Sequence, residues 1–534
     1  MAPHLPIRSL ALASAIVAGS AFLTAPAGAA PATASALPLG PAGLSETRTT
    51  TTLQSGVTLT RIVRGTADPN DTWTIEVSVP AGGNPDPDGP ATALSSQADA
   101  EQAAADLDAA GLDARAERVT TPPTSDYTPG TLGWRVRVGR YAQSADASGD
   151  LAKVRAAGFN GSTLFTGWDG ATSTGPWHVD VLTIDPKAFR GRLVGSYGAD
   201  IETRETTSAT AQAAGATAAT NAGFFVLDPK AGAPGDPAGL GVYGGRLLSE
   251  ATNGRPAFVF HADGSRSAVT RFTWQGAVVG TGGRRLVLDG IDRVPGLIRN
   301  CGGTPDDQPT AHPQQDVTCT DADEAVLFTP QYGASTPSGD GVEAVLDAHG
   351  RVTEVRSPRG GAVPAGGRTV QAIGADAAQL QSLARVGSRL RVTSSLRTTD
   401  GNTFSPSPST YVVNGGPELV RDGRLHVTPQ RDGMVHPGDP SWYYGWAHKR
   451  NPRTLVGVDG RGRTVIVTAD GRSTSSLGLS ITEAGAVARA LGLRDAMNLD
   501  GGGSTTMVVG GQVINDPSDA TGERPVGDAL LVLP

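Results

Sequence analysis

Between residues 73 and 168, short runs of alternating apolar and polar positions are interrupted by two Ala-rich segments. Residues 73–79 (WTIEVSV) and 114–119 alternate with the period of two expected of half-buried strands. Residues 97–110 are Ala-rich, with Leu107 near the end, and stop at Gly111 as a helix would. The second half copies the first: a strand at 134–141, a helix at 145–157 closed by Gly158, and a strand at 162–165. The order β-α-β-β-α-β predicts a small ferredoxin-like sandwich over residues 70–170.

Beyond Gly175-Pro176 the pattern changes to longer β-rich stretches punctuated by Asp-Gly, Asn-Gly and Gly-Gly. Residues 178–185 read as a strand, and 208–215 as a helix leading into Thr220-Asn221-Ala222-Gly223-Phe224-Phe225. Near the C-terminus, 455–459 and 464–468 are strands joined by a short Gly/Arg loop, which predicts a hairpin. A helix follows from Ile481 to about Leu491, with apolar positions at Ile481, Ala484, Val487, Ala488 and Leu491 and a stop at Gly492. Many strands with few helices over 171–534 predict one large α+β domain. Residues 30–69 read as a flexible lead-in and a first strand, with order starting near Gly56.

Composition then sets the compartment. At 534 residues the chain is too long for one ordinary domain, and its net charge of −8 argues against a polyanion-binding surface spread over the whole protein, leaving only a local basic site open. No nucleic-acid partner is expected. Arg8 without an acid in the first nine residues, an apolar run from Leu10 to Leu23 and Ala27-Gly28-Ala29 form a secretory signal peptide over 1–29, so a secreted mature protein starting near Ala30 is expected, with retention on the cell wall left open. No later apolar run is long enough to span a membrane. The two cysteines, Cys301 and Cys319, suit an oxidising compartment; a disulfide closing their loop would stabilise by roughly 3 kcal/mol, and a metal clip is the weaker reading because no paired His or C-x-x-C accompanies them.

Chemistry-bearing residues gather in the last 125 residues. The stretch Asn498-Leu499-Asp500-Gly501-Gly502-Gly503-Ser504-Thr505 follows an acid with three glycines and two hydroxyls. Asp-Gly is the favoured dipeptide of tight turns, which accounts for Asp459 and competes at Asp470. It explains Asp500 less well, because a turn needs neither a third glycine nor Ser504 and Thr505; backbone N–H groups in a Gly-rich turn can instead cradle an anion. Glu483 stands in Ser480-Ile481-Thr482-Glu483, a capping box at a helix start, so capping competes with catalysis there. Arg453 and Arg472 flank the acid-bearing hairpin, and planar guanidinium forks suit phosphate. Gly239–Gly244 matches G-x-G-x-x-G but lacks the flanking strand and helix, and P-loop, nucleophile-elbow and H-E-x-x-H motifs are absent.

Two resemblances follow from these residues. Val136-Arg137-Val138-Gly139-Arg140-Tyr141 and the surrounding pattern resemble a SPOR domain, which implies peptidoglycan as a partner of residues 70–170; a purely structural insert is the competing reading. Asn221-Ala222-Gly223-Phe224, Asn414-Gly415-Gly416-Pro417, Pro452-Arg453-Thr454, Asp470-Gly471-Arg472, Thr482-Glu483 and Asn498–Ser504, extended by Asn515, Pro517, Asp519, Glu523 and Arg524, resemble the phosphodiester glycosidase family. Ala222 where Gly is common and Thr505 where Ser is common depart from its pattern. The resemblance implies hydrolysis of the bond between a sugar's anomeric carbon and a phosphodiester. Asp500 and Glu483 are then the expected carboxylate pair, with Asp470 as the competing second member. Arg453, Arg472, Gly501, Gly502, Gly503, Ser504 and Thr505 are expected to bind substrate, together with Asn221, Gly223, Phe224, Asn414, Gly415 and Gly416. No cofactor is assigned; a divalent cation, calcium or magnesium, stays open without any ligand spacing behind it. The expected partner is a glycosyl-phosphate polymer or other carbohydrate. A phosphate-free envelope polysaccharide is a second reading, and a non-catalytic glycan-binding or exopolysaccharide-organising wall protein is a third. Convergence of Asp500, Glu483, Asp470, Arg453 and Arg472 on one pocket discriminates between enzyme and binder.

Overall fold

Apolar runs such as Leu455–Val458 and Val465–Ala469 cannot alternate between core and water, because they have no polar face; they need cover on both sides. The computed structural model, which describes residues 35–79, 90–252, 254–299, 308–309, 317–436 and 438–534, supplies it. An antiparallel sheet runs in the order Glu46–Gln54, Val57–Arg64, Trp177–Ile184, Thr464–Ala469, Arg453–Asp459, Leu493–Asn498, Glu418–Arg421 and Arg424–Leu425. One face sends Val456, Ile466 and Met497 into a core shared with a five-stranded sheet built on Ala218–Asn221, Met507–Val509 and Ala529–Leu533. The other face sends Leu455, Val467 and Ala496 against Ile481, Ala484, Val487 and Ala488 of the helix Ile481–Ala490. Strand (40%) outweighs helix (16%), so the fold is a β-rich mixed one with helices at the periphery. Residues Ala36–Pro534 form one unit.

Two features differ from the sequence expectation. Order starts earlier than Gly56: the Thr-rich run Glu46–Gln54, which suits a strand because its side chains are β-branched, pairs with Val57–Arg64, which in turn pairs with Trp177–Ile184. Residues read as a lead-in thus form the edge hairpin of the main sheet. Consequently the unit spanning residues 73–165 lies in the chain between two adjacent strands of that sheet, as an insertion.

The inserted unit has the anticipated element order: strands Trp73–Ser78, Ala114–Thr120, Thr131–Tyr141 and Asn160–Phe165, with helices Gln97–Ala109 and Ser148–Ala156. Its first strand lies between the third and the fourth, the second is outermost beside the third, and all pairs are antiparallel. Ile75, Val77, Val136 and Val138 pack against the helices, so period-two alternation turns Glu76, Arg135 and Arg137 to the opposite face. That face is not solvated. Arg137 pairs with Asp169 at 2.5 Å and Glu76 at 3.1 Å, Tyr444 donates its hydroxyl to Glu76 at 2.7 Å, and Lys449 also pairs with Glu76. Burial alone would raise the Glu76 carboxyl, yet Lys449 and Arg137 hold it down at about 2.

The Cys301 half of the expected disulfide lies outside the described residues, as does the signal segment 1–29; Cys319 is buried in the strand Val317–Thr320. No helix among the described residues is long and apolar enough to cross a membrane.

Candidate active site

The strand Leu493–Asn498 delivers the chain to Asp500 at the rim of the main sheet, where two buried amides fix the backbone. Asn221, fully buried at the end of its strand, donates to the Asp500 carbonyl at 2.8 Å and accepts from Thr454 Oγ1 and the Thr506 N–H at 2.7 and 3.2 Å. Asn414 accepts from the Phe224 N–H at 2.9 Å and donates to the Phe224 carbonyl at 3.1 Å. Both asparagines therefore position other residues rather than line the opening, as do Gly415, which abuts Met497, and Gly416, whose N–H donates to the Asn498 carbonyl at 2.7 Å. The Gly223 N–H donates to Asp528 at 2.7 Å.

A cleft of about 230 Å³ opens at this rim. Asp500, Gly501, Gly502, Gly503, Arg453, Arg472 and Phe224 line it, and so do Trp442, Trp446, Asn451, Asn498, Arg299 and Arg524. Asp500 is the one acid lining it among the described residues. Burial raises its carboxyl above the ordinary range, opposed by the Ser504 hydroxyl, Arg524 and the Gly501 N–H.

The glycines have a steric reason. A side chain on Gly503 would meet Asp519 Oδ1 at 2.1 Å and the Arg524 guanidinium at 2.4 Å, and Gly502, in the left-handed region at φ +58°, lies 3.2 Å from Arg472 by the same measure. The N–H groups of Gly501, Gly502 and Ser504 go to Asp500 Oδ1, the Pro452 carbonyl and the Gly501 carbonyl. The turn thus serves chiefly to let guanidinium groups approach the backbone beside Asp500. Ser504 and Thr505 are buried beneath it.

Those cations are crowded. Arg453 donates to the Leu479 and Trp446 carbonyls, and burial with the adjacent Arg472 pushes it down to about 9. Arg472, at φ +55°, donates twice to Asn451 Oδ1 at 3.1 and 3.0 Å and lies 5.6 Å over the Trp446 ring; burial and Arg524 lower it as well. Arg524 is paired with Asp519 at 2.7 Å. An anion bound here would relieve the mutual repulsion.

The other two acids expected at the site sit elsewhere. Glu483 closes the capping box, accepting from the Ser480 N–H at 2.9 Å while its own N–H donates to Ser480 Oγ, and it is paired with the buried Arg450 at 2.7 Å. Asp470 is buried and accepts from Asn515 Nδ2 and the Asp516 N–H, both at 3.1 Å. Neither lines the cleft. Sequence reasoning passed over Trp442, Trp446 and Asn498. The first two come from Ser441-Trp442-Tyr443-Tyr444-Gly445-Trp446, an aromatic concentration in a chain only 5% aromatic, which was a usable signal. They are presented by a short helix, Pro440–Tyr443, running into a π-helical turn, Tyr444–His448. Asn498 Oδ1 and Trp442 Nε1 are buried and have no partner among the described residues, an acceptor and a donor on residues of the same wall. No group of three or more His, Cys, Asp or Glu among the described residues could hold a metal ion.

Most of the residues lining this cleft fall within a stretch that matches a known family. Residues 340–533 match the phosphodiester glycosidase family model and residues 91–164 match that of the SPOR domain. The chain thus carries a phosphodiester glycosidase domain and a SPOR domain. It is similar to N-acetylglucosamine-1-phosphodiester alpha-N-acetylglucosaminidase of Mus musculus, 31% identical over 117 residues, or 21% of this chain and 22% of that one. It is also similar to the Homo sapiens protein of that name, 28% identical over 114 residues, 21% of this chain and 22% of that one. The match thus spans about a fifth of these relatives' length. Along nearly its whole length it resembles a crystal structure of a Burkholderia pseudomallei K96243 protein designated as exported, with 34% identity, a TM-score of 0.83 and coverage of 93% of this chain and 98% of that one.

Proposed function

We propose that the protein is an exported glycosidase that hydrolyses a glycosyl phosphodiester, with Asp500 as its essential carboxylate. The observation that carries this reading is the solitary acid among the described cleft residues, set beside Arg453 and Arg472. In the reaction the bond between the anomeric carbon and the phosphate oxygen breaks, and its electron pair leaves with the phosphomonoester. A phosphate is a good leaving group and needs little proton donation, so a second carboxylate in the role of acid is dispensable. The oxygen of water bonds to the anomeric carbon and its proton passes to Asp500, which also stabilises the oxocarbenium-like transition state. The arginines receive the phosphate as it gains charge. Half-buried Trp446 offers apolar surface to a sugar ring, while Trp442, stacked on His436, offers its Nε1–H as a donor beside the acceptor Asn498 Oδ1.

The cell envelope is the expected location of the substrate. The SPOR domain, with its ferredoxin-like order, supports contact with peptidoglycan, and the export designation of the Burkholderia relative supports secretion. Release of reducing sugar from a panel of α- and β-glycosyl phosphodiesters and phosphate-free envelope glycans tests the reading. Turnover of a phosphodiester is expected, falling by at least about a hundredfold in Asp500→Asn. Turnover of phosphate-free glycans alone would reassign the substrate class, and an active Asp500→Asn enzyme would remove Asp500 from the mechanism.

A further inference from the structure

The lobe built from the strands Arg285–Leu288, Val342–Leu346, Arg368–Ala372 and Arg391–Thr398 carries a feature that the cleft does not use. Its outer end holds a groove of about 490 Å³ lined by His349, Arg368, Arg389 and Arg391 among small and aliphatic residues. Two more arginines, Arg285 and Arg351, neighbour its lining residues on adjacent strands. Arg285 and Arg391 both pair with Val279 from opposite sides, so they lie on one face of three adjacent strands, about 10 Å apart. Arg351 bridges to Arg389, whose Nε donates to the His349 carbonyl at 2.9 Å, and Arg351 itself donates to the Gly387 carbonyl at 2.9 Å. All five arginines are exposed. Among the described residues none of them forms an ion pair, whereas Arg356 on the same lobe has Glu343 and Glu354. The acid of the adjoining turn, Asp347, accepts from the backbone N–H groups of His349 and Arg351 and faces the charge of Arg351 without an ion pair among the described residues.

Exposed guanidinium groups without ion pairs concentrate positive charge at this end of a protein of net charge −8, and only Arg351 and Arg389 are held by backbone carbonyls. We propose that this groove binds a linear polymer carrying repeated phosphate groups, of the kind a phosphorylated envelope glycopolymer presents. Planar guanidinium forks suit bidentate recognition of phosphate oxygens. Phenylalanine, tyrosine and tryptophan are absent from the residues lining the groove, so the stacking platform of a single-stranded nucleic-acid site is missing. None of these residues lines the cleft, and the inference is independent of the reaction proposed there.

Fluorescence anisotropy of labelled poly(glycerol phosphate) with the whole chain tests the site. Binding is expected to weaken between 50 and 200 mM salt and to fall at least about tenfold when Arg285, Arg368 and Arg391 are all changed to Ala. The triple Arg→Lys variant, which keeps the charge, should lose less, and Arg472→Ala, confined to the cleft, should weaken binding far less than the triple Ala change. Binding that survives the triple Ala change, or that disappears with Arg472→Ala, would overturn the site. A labelled single-stranded oligonucleotide bound tenfold more tightly than the glycerol polymer would overturn the ligand class.

Discussion

Asp470 shows how far one residue's neighbours decide its role. Burial raises its carboxyl from 3.8 to about 6, and the Asp516 N–H and Asn515 amide only partly oppose the shift. Between about pH 4 and 6 the native state keeps a proton that the unfolded chain has released, so this group makes stability fall as pH rises through that window, by about 3 kcal/mol in all. Asparagine retains an acceptor for Asn515 and Asp516 but has no charge to bury. Asp470→Asn is therefore expected to be more stable than the parent at pH 7 and equal to it below pH 4, as measured by denaturant unfolding across that range, with turnover retained. A loss of turnover without a loss of fold would return Asp470 to the reaction. Sequence alone could identify Asp500, because three glycines in succession exceed what a turn requires. It could not decide whether Asp470 or Glu483 joins Asp500, since Asp470 also precedes glycine at a strand end and only the tertiary fold sets both outside the cleft.

At the level of elements, the helix Ile481–Ala490 was legible from its ends and its stripe, and the capping box at Ser480 and Glu483 formed as the spacing predicted. What the spacing could not reveal is that the cap is also a tie between parts of the chain distant in sequence. Arg450, nearly fully buried, joins Glu483 to the carbonyls of Gly167 and Ala171, where the inserted unit returns to the main sheet. Glu483→Gln keeps the capping acceptor and removes the charge, leaving a buried guanidinium unpaired. A loss of about 3 kcal/mol in unfolding free energy is expected, with activity per folded molecule unchanged. A variant that unfolds like the parent but has lost turnover would place Glu483 in catalysis after all. The aromatic wall was less legible: Trp442 and Trp446 stand four apart, the spacing of one helical face, but their segment is only a short helix, Pro440–Tyr443, running into a π-helical turn, too brief for a periodic stripe to mark it.

For the whole molecule, the alternation that predicted the inserted sandwich also predicted a polar outer face, and only the partner of that face was hidden. Glu76, Arg135 and Arg137 meet the segment bearing Trp442 and Trp446, so the SPOR domain buttresses one wall of the cleft. Tyr444 receives a hydrogen bond from Arg135 at 2.9 Å and gives one to Glu76, while Lys449, one residue beyond the π-helical turn, pairs with the same carboxylate. Truncating one member of such a buried network leaves the others uncompensated and costs about 3–5 kcal/mol. Because the wall is held from behind, its loosening should be felt first in substrate binding. Glu76→Gln is expected to raise hydrogen exchange in residues 440–450 and to raise KM several-fold on the phosphodiester found in the panel, with kcat within about twofold of the parent, since Asp500 is anchored separately through Asn221. Equal loss in kcat and kcat/KM would show that the insert acts on the reacting groups themselves, and unchanged exchange in 440–450 would show that the aromatic segment stands without it.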